Sequence, residues 1–286
     1  MVWGPMIAIY LFLAGAAAGA YLTVSLISFK YPSAQTMRKW GRIIVPVLLG
    51  VGLLMLMLDA EAGLKNPLRF IGLVNNPGSV MTIGVYIICV FMPIALAVAL
   101  LELLGKNVPR VLDIVGDVGA VCLAGYTGFL LGDSLGVPLW HNSVLPALFV
   151  ASAITSGMAL VALIGIFAER EEYEKMTILR PIHIVLAVLE IALIAAMLVI
   201  ASGKGAAGAE SVSMITTGSL AVPFWLGIVC IGLLMPLVLD AVSARKAKTG
   251  GSQGIAGEAV AQGGVVVGGF LLRLVVVMAG VTMILL

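Results

Sequence analysis

The sequence predicts an all-α integral membrane protein of eight transmembrane helices, with both chain ends on the outer side of the membrane. Three observations carry this. Of 286 residues, 62% are hydrophobic and 10% charged, where soluble domains carry about 25% charged residues, and mean hydropathy is +1.18. Eight apolar runs each approach or exceed the roughly 20 residues needed to cross a hydrocarbon core. The lysines and arginines between those runs fall mostly into alternate loops. Little chain is left for an extramembrane domain, so the chemistry must sit in or near the bilayer. A net charge of +2 without a long basic cluster excludes nucleic-acid binding.

The runs lie near residues 5–29, 43–60, 79–104, 111–131, 143–168, 181–201, 217–240 and 262–285. The first starts at Pro5 and stops at Lys30; it is too long for a signal peptide and lacks its charged leader and cleavage site, so it is expected to stay in the protein. The second follows Arg42 and holds Asp59 near its end. The third follows Pro77-Gly78, and the fourth runs from Arg110 to Gly132-Asp133. The fifth stops before Glu169, the sixth follows Pro181, and the seventh runs to Asp240. The eighth opens on Gly263-Gly264 and Gly268-Gly269, which weaken a helix in water but are common in membrane helices.

The first, third, fifth and seventh loops hold twelve of the sixteen lysines and arginines, and the fourth loop and both ends hold none. By the positive-inside rule the basic loops face the cytoplasm, and the chain is a multi-pass protein of the inner (cytoplasmic) membrane. Leu11 to Gly19 in the first span resembles Leu148 to Ser156 in the fifth, with a small residue at every fourth place. Four helices per half preserve direction, so residues 1–140 and 141–286 read either as a parallel duplication into two four-helix bundles, or as ordinary close packing through small residues.

The three cysteines, Cys89, Cys122 and Cys230, are isolated in apolar stretches with no metal-ligand spacing, and read as small core residues. A b-type haem held between helices needs axial ligands, commonly two histidines. The two histidines here are placed a membrane thickness apart, His141 in the fourth loop and His183 at the start of the sixth span, and no CxxCH motif is present. The sequence therefore predicts neither haem nor an iron-sulfur cluster in this chain.

Ionisable groups inside spans cost about 2.5–3.5 kcal/mol each on insertion scales, which makes each a functional candidate. Glu190 sits mid-way along the sixth span and Arg273 in the eighth. They read either as a buried ion pair that fixes packing, or as part of a proton or water route with Asp117 and Asp113, one turn apart in the fourth span, at the inner side. A second group gathers toward the outer face: Asp59 and Glu61 close the second span, Tyr126 precedes the end of the fourth, and Asp133 and His141 flank the fourth loop. A phenol, an imidazole and carboxylates are what a quinone ring requires, donors for its carbonyl oxygens and acceptors for the protons of quinol. Each has a bland reading too, as interfacial tyrosines and helix-end carboxylates. Lys65 to Phe70 look like an outer interfacial segment.

Several stretches together resemble the NrfD/polysulfide reductase membrane-subunit family. Trp3-Gly4-Pro5 and Tyr10-Leu11-Phe12-Leu13-Ala14-Gly15 through Gly19 are similar to its first helix. Asp59 followed by Asn66-Pro67-Leu68-Arg69-Phe70 resembles its Asp-to-Pro-Leu-Arg-Phe stretch, Ser79 to Gly84 the start of its third helix, and Tyr126-Thr127-Gly128-Phe129-Leu130-Leu131 its fourth. The likeness is firm to about residue 135 and looser beyond. It implies an eight-helix, haem-free subunit that exchanges electrons between the quinone pool, menaquinone included, and an iron-sulfur subunit on the outer face, which in turn serves a molybdopterin catalytic subunit. Tyr126 falls at the position the resemblance makes a quinone ligand, and Asp59 at its acidic position. The first helix has no Asn or His where some members place polar quinone contacts, and Tyr10 stands in their stead. Two rival readings are a secondary transporter, suggested by the repeat and the buried charges, and a passive anchor without a quinone site.

Overall fold

The computed structural model describes residues 3–59, 76–248 and 254–283, the side chains of 243–248 excepted. All regular structure in them is helical: α1 (Pro5–Lys30), α2 (Gln35–Asp59), α3 (Val80–Leu103), α4 (Arg110–Gly132), α5 (Leu145–Ala168), α6 (Arg170–Lys175), α7 (Leu179–Ser202), α8 (Gly205–Thr216), a π-helical segment (Pro223–Leu234) continuing as α9 (Met235–Lys248), and α10 (Ile255–Met278). Eight of the spans these form are long and apolar enough to cross a bilayer. With the family likeness set out below, they make this a multi-pass membrane protein.

Two boundaries differ from expectation. α2 begins at Gln35, eight residues before the apolar run, so Arg38, Lys39 and Arg42 are helical rather than loop residues. α10 covers Ile255–Met278 rather than 262–285. Its first turn holds Glu258, which Arg170 receives, and the chain beyond Gly280 leaves the helix so that the Met283 N–H reaches the Gly136 carbonyl at 2.8 Å. Two short helices, α6 and α8, occupy what reads in sequence as loop.

α1 and α5 form the centre. α1 packs on α2, α4, α5 and α10, and α5 on α1, α4, α7 and α10. Small residues make this crossing possible. A Cβ on Gly19 would strike the Ala153 backbone, and one on Gly157 would strike the backbone at Gly19 and Ala20, so the two helices touch main chain to main chain, as the small-residue spacing anticipates. α4 and α10 flank this pair, while α2, α3, α7 and the π segment form the periphery.

Contacts define two faces. Gly4 lies beside the Asp59 carboxylate, the Trp3 ring lies 5.5 Å from that of Trp140, and Lys204 Nζ donates to the His141 carbonyl. Both ends of the described chain therefore share one side, the terminal face. The opposite, basic face is tied by Ser33 Oγ to Glu172 at 2.5 Å, by the Met37 N–H to Glu169 at 2.8 Å, and by Arg170 to Glu258 at 3.1 Å.

Candidate functional site

Two phenols meet near the terminal face. Tyr10 is fully buried in the second turn of α1, and Tyr126 is nearly so, six residues before the end of α4. The two phenols lie within interaction range of one another. Glycine makes room for both: a Cβ on Gly84 of α3 would overlap the Tyr126 ring at Cζ and its hydroxyl, and one on Gly52 of α2 would lie 3.5 Å from the Tyr10 ring. Tyr10 Oη has no hydrogen-bond partner among the described residues. An unpaired buried hydroxyl costs about 1–3 kcal/mol, so this atom is available to an acceptor. Four helices, α1 to α4, thus converge on one depth, about 9 Å along α1 from Gly4 and the Asp59 carboxylate.

The other candidates of this group stand at the rim. His141 is exposed, and its Nδ1 lies 3.0 Å from the Gly132 carbonyl at the end of α4. Asp133 is the exposed residue following α4, its N–H bonded to the Phe129 carbonyl at 3.0 Å. Neither has a contact to the phenol pair among the described residues. Glu61 and the Lys65–Phe70 segment lie outside the described residues.

Toward the basic face, Arg42 of α2 holds Asp113 of α4 through two hydrogen bonds, 2.7 and 3.2 Å, and donates to Ser28 at 2.9 Å. Glu102 of α3 lies 3.4 Å from both Arg42 and Arg38. One turn deeper, Asp117 accepts from Ser25 Oγ at 2.8 Å, and its other oxygen has no partner among the described residues, nor has the Tyr21 hydroxyl seated on Gly116.

In the second half, Thr155 Oγ1 donates to Glu190, and Arg273 donates to Ser152 Oγ at 2.7 Å and to the Gly269 and Phe149 carbonyls at 2.9 and 3.2 Å. His183, two turns before Glu190 on α7, has Nδ1 2.8 Å from Asp240. No group of three or more His, Cys, Asp or Glu suited to a metal occurs among the described residues.

A family model described as polysulphide reductase, NrfD, matches residues 1–285. The chain belongs to the NrfD family. It is 34% identical to the C subunit of polysulfide reductase from Wolinella succinogenes over 269 residues, 84% of this chain and 83% of that one. It is 31% identical to protein NrfD of Escherichia coli over 313 residues, covering 98% and 95%, and 28% identical to a NrfD homolog of Haemophilus influenzae over 273 residues, covering 84% and 83%.

In this NrfD-family protein the residues proposed from sequence fall into separate groups. Tyr10 and Tyr126 come together, with Asp59 toward the terminal face from them. Asp113 and Asp117 belong to the Arg42 cluster, and no hydrogen bond or ion pair among the described residues joins them to Glu190 and Arg273. Of the two readings of Glu190 and Arg273, the direct ion pair does not form among the described residues: Thr155 donates to Glu190, while Ser152 and Phe149 of α5 and the Gly269 carbonyl of α10 take the guanidinium. Sequence reasoning missed the His183–Asp240 contact, which spans 57 residues, and the glycine cradle. Gly84 was visible only as a letter in a family-like stretch, with nothing to say that a ring would lie over it.

Proposed function

We propose that this protein is the haem-free membrane subunit of a respiratory oxidoreductase, handling quinol or quinone, menaquinone included, between Tyr10 and Tyr126. In this reading the terminal face is the outer face of the cytoplasmic membrane, where an iron-sulfur subunit docks and passes electrons to or from a molybdopterin catalytic subunit. The observation that carries it is the pair of neighbouring buried phenols, one with a hydroxyl that makes no hydrogen bond of standard geometry among the described residues. Two donors side by side fit a carbonyl oxygen of a planar ring. Twelve lysines and arginines gathered at alternate connections between the apolar runs, some of them in the flanking helix turns, support the orientation.

Bound quinol supplies two electrons and two protons. Tyr126 holds the ring by hydrogen bond, its own position fixed by the Gly84 cradle, and Tyr10 donates from the α1 side. Asp59 receives a proton at the mouth, where water reaches the end of α2, and Asp133 and His141 form the polar rim beyond. Residues 1–140 are then the quinone-binding half and 141–286 its parallel repeat, a reading supported by the matching placement of α1 with α5 and α4 with α10.

The test is quinol-dependent reduction of the iron-sulfur partner in the intact complex. Tyr126→Phe keeps the ring and removes the hydroxyl, and is expected to weaken quinone affinity about tenfold, the worth of about 1–2 kcal/mol. Unchanged affinity and turnover in both Tyr126→Phe and Tyr10→Phe would leave only a passive anchor. Substrate uptake into vesicles by this subunit alone would mark a transporter.

A further inference from the structure

We propose that Glu190 is a proton-exchange site served from the basic face alone, with His183 as relay, Asp240 as its partner at the mouth, and Arg273 closing the far side. It stands apart from the quinone reading and replaces a through-route joining all four sequence candidates with a one-sided branch built from different residues.

The geometry runs inward in steps. Asp240 of α9 is mostly but not fully covered, and it lies near the basic-face helix α6: the Tyr173 hydroxyl there is pushed up to about 12, first by burial and then by the Glu258 and Asp240 carboxylates. Asp240 accepts from His183 Nδ1. An ionised carboxylate can only accept, so Nδ1 carries hydrogen and Nε2 is the free base. His183, Thr155 and Glu190 all line one cavity of ≈ 10 Å³, room for about one water. Gly232 and Gly268 line it as well, at the point where the backbones of the π segment and α10 touch and a Cβ on Gly232 would lie 2.6 Å from Gly268 Cα. His183 and Glu190 are seven residues apart on one helix face, about 10 Å along the axis, a gap that a water and two side chains bridge.

Beyond Glu190 the path ends. Arg273 is fully buried, its Nη groups held by Ser152, Gly269 and Phe149 and its Nε unpartnered among the described residues, with its guanidinium 5.2 Å from the Phe149 ring and 5.9 Å from that of Phe12. A guanidinium stays charged, accepts no proton, and repels one that approaches. The charged or titratable groups acting on Glu190 are His183 of α7 and Arg273 of α10, with Asp240 of α9 behind His183; α5 offers only hydroxyls. In the transfer, protonated His183 gives the Nε2 proton through the water to the Glu190 carboxylate and becomes neutral. It is recharged from the basic face past Asp240, and the reverse sequence empties the site to that same face.

The experiment uses the full complex in lipid vesicles of known orientation. Infrared difference spectra follow the carboxyl C=O band that Glu190→Gln removes, after a pH jump applied to one face at a time. The band is expected to respond to a jump on the basic face and not on the terminal face. His183→Phe should slow the response about 10²-fold, the scale of a lost proton-transfer group, and Asp240→Asn should slow it less. Thr155→Val should move the band without slowing it, reporting an intact site. Response from the terminal face, equal rates in wild type and His183→Phe, or no band lost in Glu190→Gln would each overturn the proposal. If His183→Phe does not fold, an unslowed Asp240→Asn overturns it.

Discussion

Two buried arginines do opposite things with their charge. Arg42, 4% exposed, hands it to carboxylates: Asp113 takes two of its N–H groups and Glu102 lies close by. Arg273, fully buried, meets only a hydroxyl, two helix carbonyls and two aromatic rings. The first is neutralised where it stands and fastens α2 to α4 and α3. The second keeps a net positive charge inside the bilayer, where little screens it. Neutral partners satisfy hydrogen bonds without cancelling charge, so Arg42 is a structural group and Arg273 an electrostatic one.

Unfolding measurements on the purified protein separate the two. Arg42→Met leaves the part-buried Asp113 without its cation, while Glu102 keeps Arg38, and should destabilise by about 3 kcal/mol. Ser152→Ala takes a charged hydrogen bond from Arg273 and should lower stability by about 1.5–3 kcal/mol in the same denaturation assay. Arg273→Met breaks no hydrogen bond to a carboxylate, since Glu190 is held by Thr155 and feels Arg273 only across space, and the Phe149 and Gly269 carbonyls keep their helical roles. Its stability should match wild type or exceed it by about 1 kcal/mol, and a loss as large as that of Arg42→Met would erase the distinction.

The exposed pair on the basic face gives a third point of reference, a charge left in water. Lys175 and then Ser33 hold the Glu172 carboxyl below its usual range, and Glu172 holds Lys175 above its own. The carboxylate's contribution is therefore present above the ordinary glutamate range and fades as pH falls through the depressed value. The lysine's is present below the ordinary lysine range and fades as pH rises through the raised value. Glu172→Gln should be slightly less stable than wild type at about pH 7 and converge with it near about pH 3. This is the smallest effect of the set, and a difference that persists in acid would remove the ion pair as its source.

The spans were legible because a bilayer imposes one rule, apolar length, on every helix. Their ends were not. Arg38 and Arg42 lie within α2 because Glu102 and Asp113, more than 50 residues away in sequence, receive them; a hydropathy run stops at the first charge and cannot see a partner on another helix. The α1–α5 crossing was readable from Gly19 and its spaced neighbours, since small residues have few other reasons to recur in a membrane. Tyr126 could be singled out by chemistry, whereas the Gly84 cradle required three-dimensional placement. Glu190 and Arg273 stood out as ionisable groups inside apolar runs, and their hydroxyl partners Thr155 and Ser152 did not, because opposite charges suggest pairing while hydroxyls in an apolar run attract no notice.

Trp140 ties the middle of the sequence to its end: the indole N–H donates to the Val276 carbonyl at 2.7 Å, across 136 residues of sequence. During synthesis α4 and the following turn are made long before α10. Until the last helix arrives, that indole lacks its native acceptor and the surface it covers beside Gly280 is bare. A truncated product would therefore carry an unfilled aromatic slot at the rim, giving quality-control machinery a ready mark of an unfinished polypeptide.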